Sequence, residues 1–288
     1  MNIVLVNADE LSSDAVATLR GRRAEHILQV LRPTLGSTLR AGIIDGVRGK
    51  LVVQAMAADS VTVQFLPGEG DAAAPALVAT ATAGAALGLH ELTVVLAVPR
   101  PKVLRRVVES LATFGVRRVV LCNSWRVDKA YLASPRMALA ALREDCVLGA
   151  EQGGHTRLPQ LVVYPRFMQM LDTEFAQASG ALEVSAARVG LGQRLVAHPG
   201  AALDALGYSA AAVRPQVVAI GPEGGWIDRE LTSFADRGFA PLWLSSSILR
   251  VETAVAVVLG QLELAARAAN VGRAPDAASA SNQEPRHG

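Results

Sequence analysis

Residues 217–225 read Val-Val-Ala-Ile-Gly-Pro-Glu-Gly-Gly, an apolar run that passes directly into a loop with three glycines in five positions. The pattern predicts a buried strand, Val217 to Ile220, followed by a loop, Gly221 to Gly225. Glycine reaches positive φ without a Cβ clash, so such a loop lets the backbone approach a ligand closely. Pro222 stiffens the loop, and its missing N–H leaves fewer donors to satisfy.

A second loop is expected beside the first. A helix opened by Asp228 and closed by Gly238 leads to a predicted strand, Ala240 to Leu244, and then to Ser-Ser-Ser-Ile-Leu-Arg-Val-Glu-Thr-Ala at residues 245–254. In open α/β sheets, ligands bind outside the carboxyl ends of strands, which is where both loops fall. A lone Gly-Pro-x-Gly-Gly is most often a tight turn, but the pair of loops favours a cofactor pocket.

Composition limits the class of protein. A chain of 288 residues, 51% of them hydrophobic, is expected to form two domains with buried cores. Its two cysteines, Cys122 and Cys146, lack metal-ligand spacing, which argues for a reducing compartment and against disulfides or a structural zinc. The N-terminus does not have the order of a signal peptide, and no apolar run is long enough to span a bilayer. We therefore expect a soluble, cytoplasmic protein without a metal or a membrane partner.

Residues 1–70 are predicted to form a small β-rich domain with one helix, Arg23 to Leu31. Its strands are expected at Asn2 to Val6, Thr38 to Ile44, Lys50 to Ala55 and Ser60 to Leu66. Residues 71–89 turn to Gly, Ala, Pro and Thr and are interpreted as a linker. Residues 271–288 are interpreted as a disordered tail.

Residues 90–270 are predicted to form a larger α/β domain. Strands are expected at 91–98, 116–122, 158–164, 181–185 and 194–197, alternating with helices. This alternation favours a mostly parallel sheet covered by helices on both faces.

A basic band crosses the first third of this domain. Between Arg100 and Arg143 the only acidic residues are Glu109 and Asp128, against Arg100, Lys102, Arg105, Arg106, Arg117, Arg118, Arg126, Lys129, Arg136 and Arg143. Such a band suits a polyanion such as folded RNA, because each neutralised phosphate releases counterions. The alternative is that these residues form solvated helix faces that keep the domain soluble.

Ile-Gly-Pro-Glu-Gly-Gly at residues 220–225, followed by Ile-Leu-Arg-x-Glu-Thr-Ala at residues 248–254, resembles the ribosomal RNA uridine N3-methyltransferases of the SPOUT class (RsmE type). Further matches in the same order are Ser124-Trp125-Arg126, Glu151-Gln152-Gly153-Gly154 and His198-Pro199. The resemblance implies a trefoil-knotted, mostly parallel sheet that binds S-adenosylmethionine, and a PUA-like RNA-binding domain at residues 1–70. Knots are so rare that physical principles alone would not predict one.

The resemblance also implies the site residues. The cofactor-binding set is His198, Pro199, Ile220, Gly221, Pro222, Glu223, Gly224, Gly225, Leu244, Ser245, Ser247, Ile248, Leu249, Thr253 and Ala254. Methylation of uracil N3 requires a positioned base or a cation that stabilises the developing anion. Arg250 is the candidate cation and Glu252 the residue that orients it, and the alternative is that these two form a structural ion pair at the start of a helix. Glu223 has a second possible role in shaping its loop.

The candidate RNA-binding residues occur in two groups. Arg22, Arg23, His26 and Arg32 belong to the N-terminal domain, whereas Lys102 and Arg126 belong to the larger one. A solvated basic helix face explains the first group equally well without the family context, and His26 has the alternative of capping or packing. The resemblance further implies a homodimer, although packing within one chain is the default for the last helix.

Three departures from the family pattern bear on function. Ser245 and Ser247 replace a Gly and an Arg, Trp125 stands where Glu is common, and Ile227 stands where Ser or Thr would cap a helix. The predicted function is S-adenosylmethionine-dependent methylation of a uridine at N3 in 16S ribosomal RNA of the small subunit. The alternatives are a SPOUT methyltransferase with another RNA target, and a non-catalytic RNA-binding factor of ribosome assembly.

Overall fold

The computed structural model describes residues 2–68, 89–175, 193–209 and 215–271. Within these ranges the chain forms two sheets with associated helices. The predicted strand at 181–185, nearly all of the predicted linker at 71–89 and nearly all of the predicted tail at 271–288 lie outside the described residues.

The N-terminal sheet contains five strands among the described residues, and a short helix packs against it. The elements are β1 (Val4–Val6), β2 (Val16–Arg20), α1 (Gly21–His26), β3 (Thr38–Ile43), β4 (Arg48–Met56) and β5 (Ser60–Pro67). The strands lie in the order β1-β3-β4-β5-β2, and only the β1–β3 pair is parallel.

The four strands predicted in this region are present, and β2 is an additional one. β2 is only five residues long and buries Ala17, a residue that is depleted in strands, beside Leu19. The predicted helix starts at Gly21 and continues from Ile27 to Leu31 as a π-helix, which ends where Arg32 adopts a left-handed conformation with φ +45°.

The second sheet contains six parallel strands among the described residues, in the order β11-β9-β10-β6-β7-β8. Its elements are β6 (Thr93–Ala97), α2 (Pro101–Thr113), β7 (Arg118–Cys122), α3 (Lys129–Leu132), α4 (Leu139–Gly153), β8 (Gln160–Tyr164), α5 (Phe167–Glu174), β9 (Gln193–Ala197), α6 (Ala205–Ser209), β10 (Pro215–Ile220), α7 (Asp228–Ala235), β11 (Phe239–Leu242) and α8 (Val251–Val271). The predicted mostly parallel α/β sheet is therefore confirmed.

Both faces of this sheet are covered. In β6, four successive residues from Val94 to Ala97 are fully buried, and successive side chains of a strand point to opposite faces. Helix α2 contacts α4 and α8, whereas α5 and α7 meet where Phe167 packs edge-on against Phe234, with ring centroids 5.2 Å apart. These two groups of helices enclose the central strands.

The N-terminal sheet is held against the end of α4. Backbone N–H groups of Asn2 and Ile3 donate to the carbonyl of Glu151, at 2.9 and 3.2 Å. Asp45 adds two more bonds, since its N–H donates to Thr156 O at 2.8 Å and its Oδ1 accepts from Leu158 N–H at 2.9 Å. Ile3 also joins the core of the larger sheet.

Candidate active site

The candidate site lies at the carboxyl edge of the parallel sheet. Because all six described strands run in one direction, the segments that follow β6, β7, β9, β10 and β11 emerge at the same edge. The register places Ile220 of β10 beside Leu96 of β6, and Leu96 beside Leu121 of β7. The glycine loop (221–225) therefore lies next to the turns that follow β6 and β7.

The glycine loop is a tight turn. Gly225 N–H donates to the carbonyl of Pro222 at 2.8 Å, and Gly225 has φ +70°, a conformation that other residues adopt at a cost. A Cβ built on Gly224 would lie 2.9 Å from Cδ of Arg126, so a larger residue there would displace the Arg126 side chain. Gly225 is therefore required for its backbone conformation, and Gly224 for the space that the Arg126 side chain occupies.

Two side chains connect the glycine loop to its neighbours. Nη1 of Arg126 donates to the carbonyl of Gly224. Oε1 of Glu223 accepts from the backbone N–H of Arg100 at 3.1 Å, just after β6. Glu223 therefore connects the glycine loop to the segment that follows β6.

Glu230 is a central residue of this region, although the sequence alone did not predict it as a site residue. Its side chain is buried, and its two carboxylate oxygens accept separately from the N–H of Trp125, at 2.9 Å, and from the N–H of Ile227, at 3.0 Å. The carboxylate occupies the third position of α7, where an acidic side chain reaches back to the start of its own helix. This role could have been predicted from sequence. Ile227 has no side-chain oxygen with which to cap α7, so an acidic residue at the third position of the helix is the expected substitute.

The serine loop (residues 243–250) follows β11 and rests on the segment after β9. His198 N–H donates to Leu242 O at 3.0 Å, and Trp243 N–H donates to Leu203 O at 2.8 Å. Helix α8 also holds the loop, because Nε2 of Gln261 donates to Leu244 O at 2.9 Å. The predicted cofactor residues of the two loops and of His198-Pro199 therefore share one edge of the sheet.

Exposure differs along the serine loop. Leu244 is half-buried against the core, whereas Ile248 is 92% exposed. Ser247 N–H donates to Ser245 Oγ at 3.0 Å, so these two serines form a local turn. Small and apolar side chains at an open edge suit a ligand that is bound largely through backbone groups.

Arg250 and Glu252 stand at the start of α8. The carbonyl of Arg250 accepts from Ala254 N–H at 2.8 Å, while its side chain is exposed. Among the described residues Arg250 and Glu252 form no ion pair with each other, so the predicted alternative of a structural pair is not observed.

Comparison with known proteins identifies the family. Residues 87–263 match a family model described as an RNA methyltransferase domain. The chain is 30% identical over 257 residues to ribosomal RNA small subunit methyltransferase E of Treponema pallidum, an alignment that covers 88% of this chain and 87% of the relative. The chain belongs to the ribosomal RNA small subunit methyltransferase E family.

The chain is also similar to a second relative in sequence and to a solved structure in fold. Ribosomal RNA small subunit methyltransferase E 1 of Borreliella burgdorferi is 22% identical over 254 residues, covering 88% of this chain and 94% of that protein. The crystal structure of the Neisseria gonorrhoeae ribosomal RNA small subunit methyltransferase E, bound to S-adenosyl methionine, has a TM-score of 0.63 at 18% identity and covers 91% of this chain and 97% of that one. The fold described above is thus that of a methyltransferase E protein.

In this methyltransferase family member, the two predicted RNA-binding arginines of α1 pair with acidic residues of the same chain. Arg22 pairs at 2.7 Å with Glu151, whose side chain is 1% exposed. Arg23 donates to Glu10, at 2.9 and 2.5 Å, and to Leu5 O at 3.0 Å. Both guanidinium groups hold the N-terminal segment in place.

The remaining predicted RNA contacts are more open. Arg32 is exposed and bonds only locally, its Nε donating to Gln29 O at 2.9 Å. Lys102 is exposed in the first turn of α2, and His26 is half-buried at the end of α1. Lys102 and Arg126 lie at the carboxyl edge, whereas Arg32 and His26 belong to the other sheet.

The basic band is partly neutralised by acids that lie outside it in sequence. Arg117 pairs with Glu91, Arg118 with Glu174, and Arg136 with Asp145. The net positive charge of the band is therefore smaller than the number of its basic residues suggests. The acidic partners belong to other segments of the chain, so a count over residues 100–143 does not include them.

The two cysteines are buried in the protein core. Burial raises the pKa of Cys146 to about 12 and raises that of Cys122 further, so both thiols are small buried groups.

A cavity of about 370 Å³ lies between α4 and β8, lined by Leu139, Arg143 and Leu158 among others, and is separate from the glycine loop. In the described ranges no cluster of three or more His, Cys, Asp or Glu side chains could hold a metal, and no helix there is long and apolar enough to cross a membrane.

Proposed function

We propose that this protein transfers a methyl group from S-adenosylmethionine to N3 of a uridine in 16S ribosomal RNA of the small subunit. Family membership supports methyl transfer to ribosomal RNA. The observation that carries the proposal is the meeting of the glycine loop, the serine loop and the His198 segment at one sheet edge, where Arg250 ends the serine loop and has no ion-pair partner among the described residues.

The proposed cofactor contacts are those predicted from sequence: His198 and Pro199, residues 220–225, Leu244, Ser245, residues 247–249, Thr253 and Ala254. Their arrangement supports a ligand held by backbone groups between apolar side chains. Bonds between the segment after β9 and the end of β11 are compatible with the trefoil knot that the family resemblance implies. S-adenosylmethionine supplies a methyl group already activated on a sulfonium, so the protein has to align it with the acceptor nitrogen.

Arg250 is proposed to stabilise the uracil anion that forms as N3 loses its proton. An exposed guanidinium that has no ion-pair partner in the described part of the chain is available to the substrate, and its place at the first residue before α8 fixes the backbone that carries it. Glu252 is proposed to orient this guanidinium once RNA is bound. Removal of one preorganised electrostatic group typically costs roughly 10²–10³ in turnover.

The RNA is proposed to lie across the carboxyl edge, where Lys102 and Arg126 are exposed, and to extend to the N-terminal sheet through Arg32. That sheet is proposed to be the PUA-like domain. We further propose a cytoplasmic homodimer, as the family resemblance implies. The exposed Leu206 and Leu264 offer apolar area for a second subunit on α6 and α8, two helices that contact each other.

The test is methyl transfer from labelled S-adenosylmethionine to small subunits from a strain that lacks the protein, followed by nucleoside analysis. N3-methyluridine is the expected product. Arg250→Ala should lower turnover by roughly 10²–10³ with cofactor affinity unchanged, and Arg250→Lys should recover part of the loss. Arg267→Ala is the matched control, because this arginine of the same helix is paired with Glu263 at 2.8 Å.

Other outcomes separate the alternatives. A methylated nucleotide outside 16S ribosomal RNA would identify another RNA target. Cofactor binding without any methyl transfer would refute catalysis and support a non-catalytic assembly factor, the possibility that Ser245 and Ser247 raise.

A further inference from the structure

Trp125 is an exposed aromatic residue beside the glycine loop. It is 79% exposed, in a chain with only 3 Trp, 3 Tyr and 6 Phe. Trp226, by contrast, is 5% exposed and packs against Phe234 with ring centroids 5.0 Å apart. A fully buried tryptophan contributes a large apolar area to a fold, so an exposed one contributes little to folding stability and is typical of binding surfaces.

The backbone beneath Trp125 is fixed. Val127 N–H donates to Ser124 O at 3.1 Å, which closes a tight turn with Trp125 and Arg126 at its tip. Ser124 and Val127 on either side are buried, and the Trp125 N–H is held by buried Glu230. The indole is thus presented to solvent from a rigid support, which lowers the entropy lost on binding.

The surroundings of Trp125 favour nucleic acid over protein as the partner. Arg126, next in sequence, reaches the glycine loop through Gly224 O, so the turn that carries the indole is in contact with the proposed cofactor site. Exposed Lys102 follows the carboxyl end of β6, and exposed Lys129 follows that of β7, the strand that precedes Trp125 and pairs with β6. An aromatic face among cations is the combination that binds unpaired bases, since the cations contact phosphates while the ring stacks on a base.

We propose that Trp125 stacks on an unpaired base of the RNA next to the methylated uridine and so positions the substrate. This inference rests on the proposed function, because it assumes that RNA lies across this edge. N3 belongs to the pairing edge of uracil, so the target must be unpaired when it reacts. A neighbouring base that is unpaired as well is then available for stacking. A single ring serves one base, which differs from an extended platform of aromatic residues.

Three variants separate stacking from other roles of this side chain. Trp125→Phe keeps an aromatic face, Trp125→Leu keeps apolar area without one, and Trp125→Ala removes both. We expect Trp125→Ala and Trp125→Leu to weaken affinity for the RNA substrate roughly five- to a hundred-fold, and Trp125→Phe to retain most of it. Melting temperature and S-adenosylmethionine affinity should stay at wild-type values, because the side chain is exposed.

Tryptophan fluorescence gives a readout that a structural role would not change. Adding RNA should quench the emission of the wild-type protein, and Trp125→Phe should remove most of the quenching while RNA still binds. Equal RNA affinity of the Leu and Phe variants, or quenching that persists in Trp125→Phe, would overturn the proposal. A change in oligomeric state of Trp125→Ala by sedimentation, with RNA affinity intact, would overturn it in favour of a contact between subunits. Failure of the proposed function would instead appear as absent methyl transfer in the wild-type protein.

Discussion

Replacement of Glu230 tests whether this buried carboxylate holds the loops of the site together. Its two oxygens serve different donors, the N–H of Trp125 and the N–H of Ile227. In Glu230→Gln, one oxygen becomes an NH₂ group that must face one of these donors, so a hydrogen bond is replaced by a repulsive contact. A hydrogen bond to a charged group contributes about 1.5–3 kcal/mol, so we expect Glu230→Gln to lose roughly that amount and Glu230→Ala about twice as much.

The assay is thermal unfolding monitored by tryptophan fluorescence, together with S-adenosylmethionine titration. A loss of about 1.5–3 kcal/mol corresponds to a fall of roughly 3–12 °C in melting temperature for a domain of this size. Cofactor affinity should fall as well, because the start of α7 and the turn after β7 would no longer be joined. Glu263→Gln is the matched control, since that partly exposed carboxylate pairs with Arg267 within α8 and should change stability by less than about 0.5 kcal/mol. The reasoning is refuted if Glu230→Gln and Glu263→Gln unfold at the same temperature.

Two further predictions concern backbone conformation and acid stability. Gly225→Ala forces a Cβ into a residue at φ +70°, so it should cost about 1–2 kcal/mol and weaken cofactor binding, measured by urea unfolding and titration calorimetry. A hydrogen bond from Arg23 lowers the pKa of Glu10 from 4.5 to about 2, so the stabilisation by this pair is complete above pH 4.5 and is lost as the pH falls toward 2. Glu10→Gln should therefore reduce the difference in urea midpoint between pH 5 and pH 3, and an unchanged difference would contradict the assignment.

The strand and loop order around residues 217–254 could be predicted from sequence because each signal is local. An apolar run followed by glycines marks the end of β10, and the apolar positions of the following helix mark α7. Strand ends then define the edge at which a ligand binds, without knowledge of any side-chain contact. The predicted second loop lies at this same edge for that reason.

The contacts that organise the site could not be predicted in the same way, because their partners are distant in sequence. Glu230 bonds to a residue 105 positions away, and Arg22 of α1 pairs with Glu151 of α4. In the neighbouring sequence, Arg22 is only one of several basic residues on a helix face. Only the folded chain shows that its partner is a buried carboxylate, for which an unpaired state would be costly.

The net charge of the basic band was overestimated from sequence for the same reason, because its acidic partners lie in distant segments. The folded chain shows which of its cations remain without an ion pair. Arg117 and Arg118 lie at the amino end of β7, and both are neutralised by acids from other segments. Lys102 and Lys129 follow the carboxyl ends of β6 and β7, and both are exposed without an ion pair among the described residues. A phosphate backbone gains most from cations that have no other partner, because no existing pair has to be broken. Two exposed cations of the band without an ion pair among the described residues therefore lie at the edge that carries the glycine loop, the serine loop and Arg250, which is where RNA is proposed to bind.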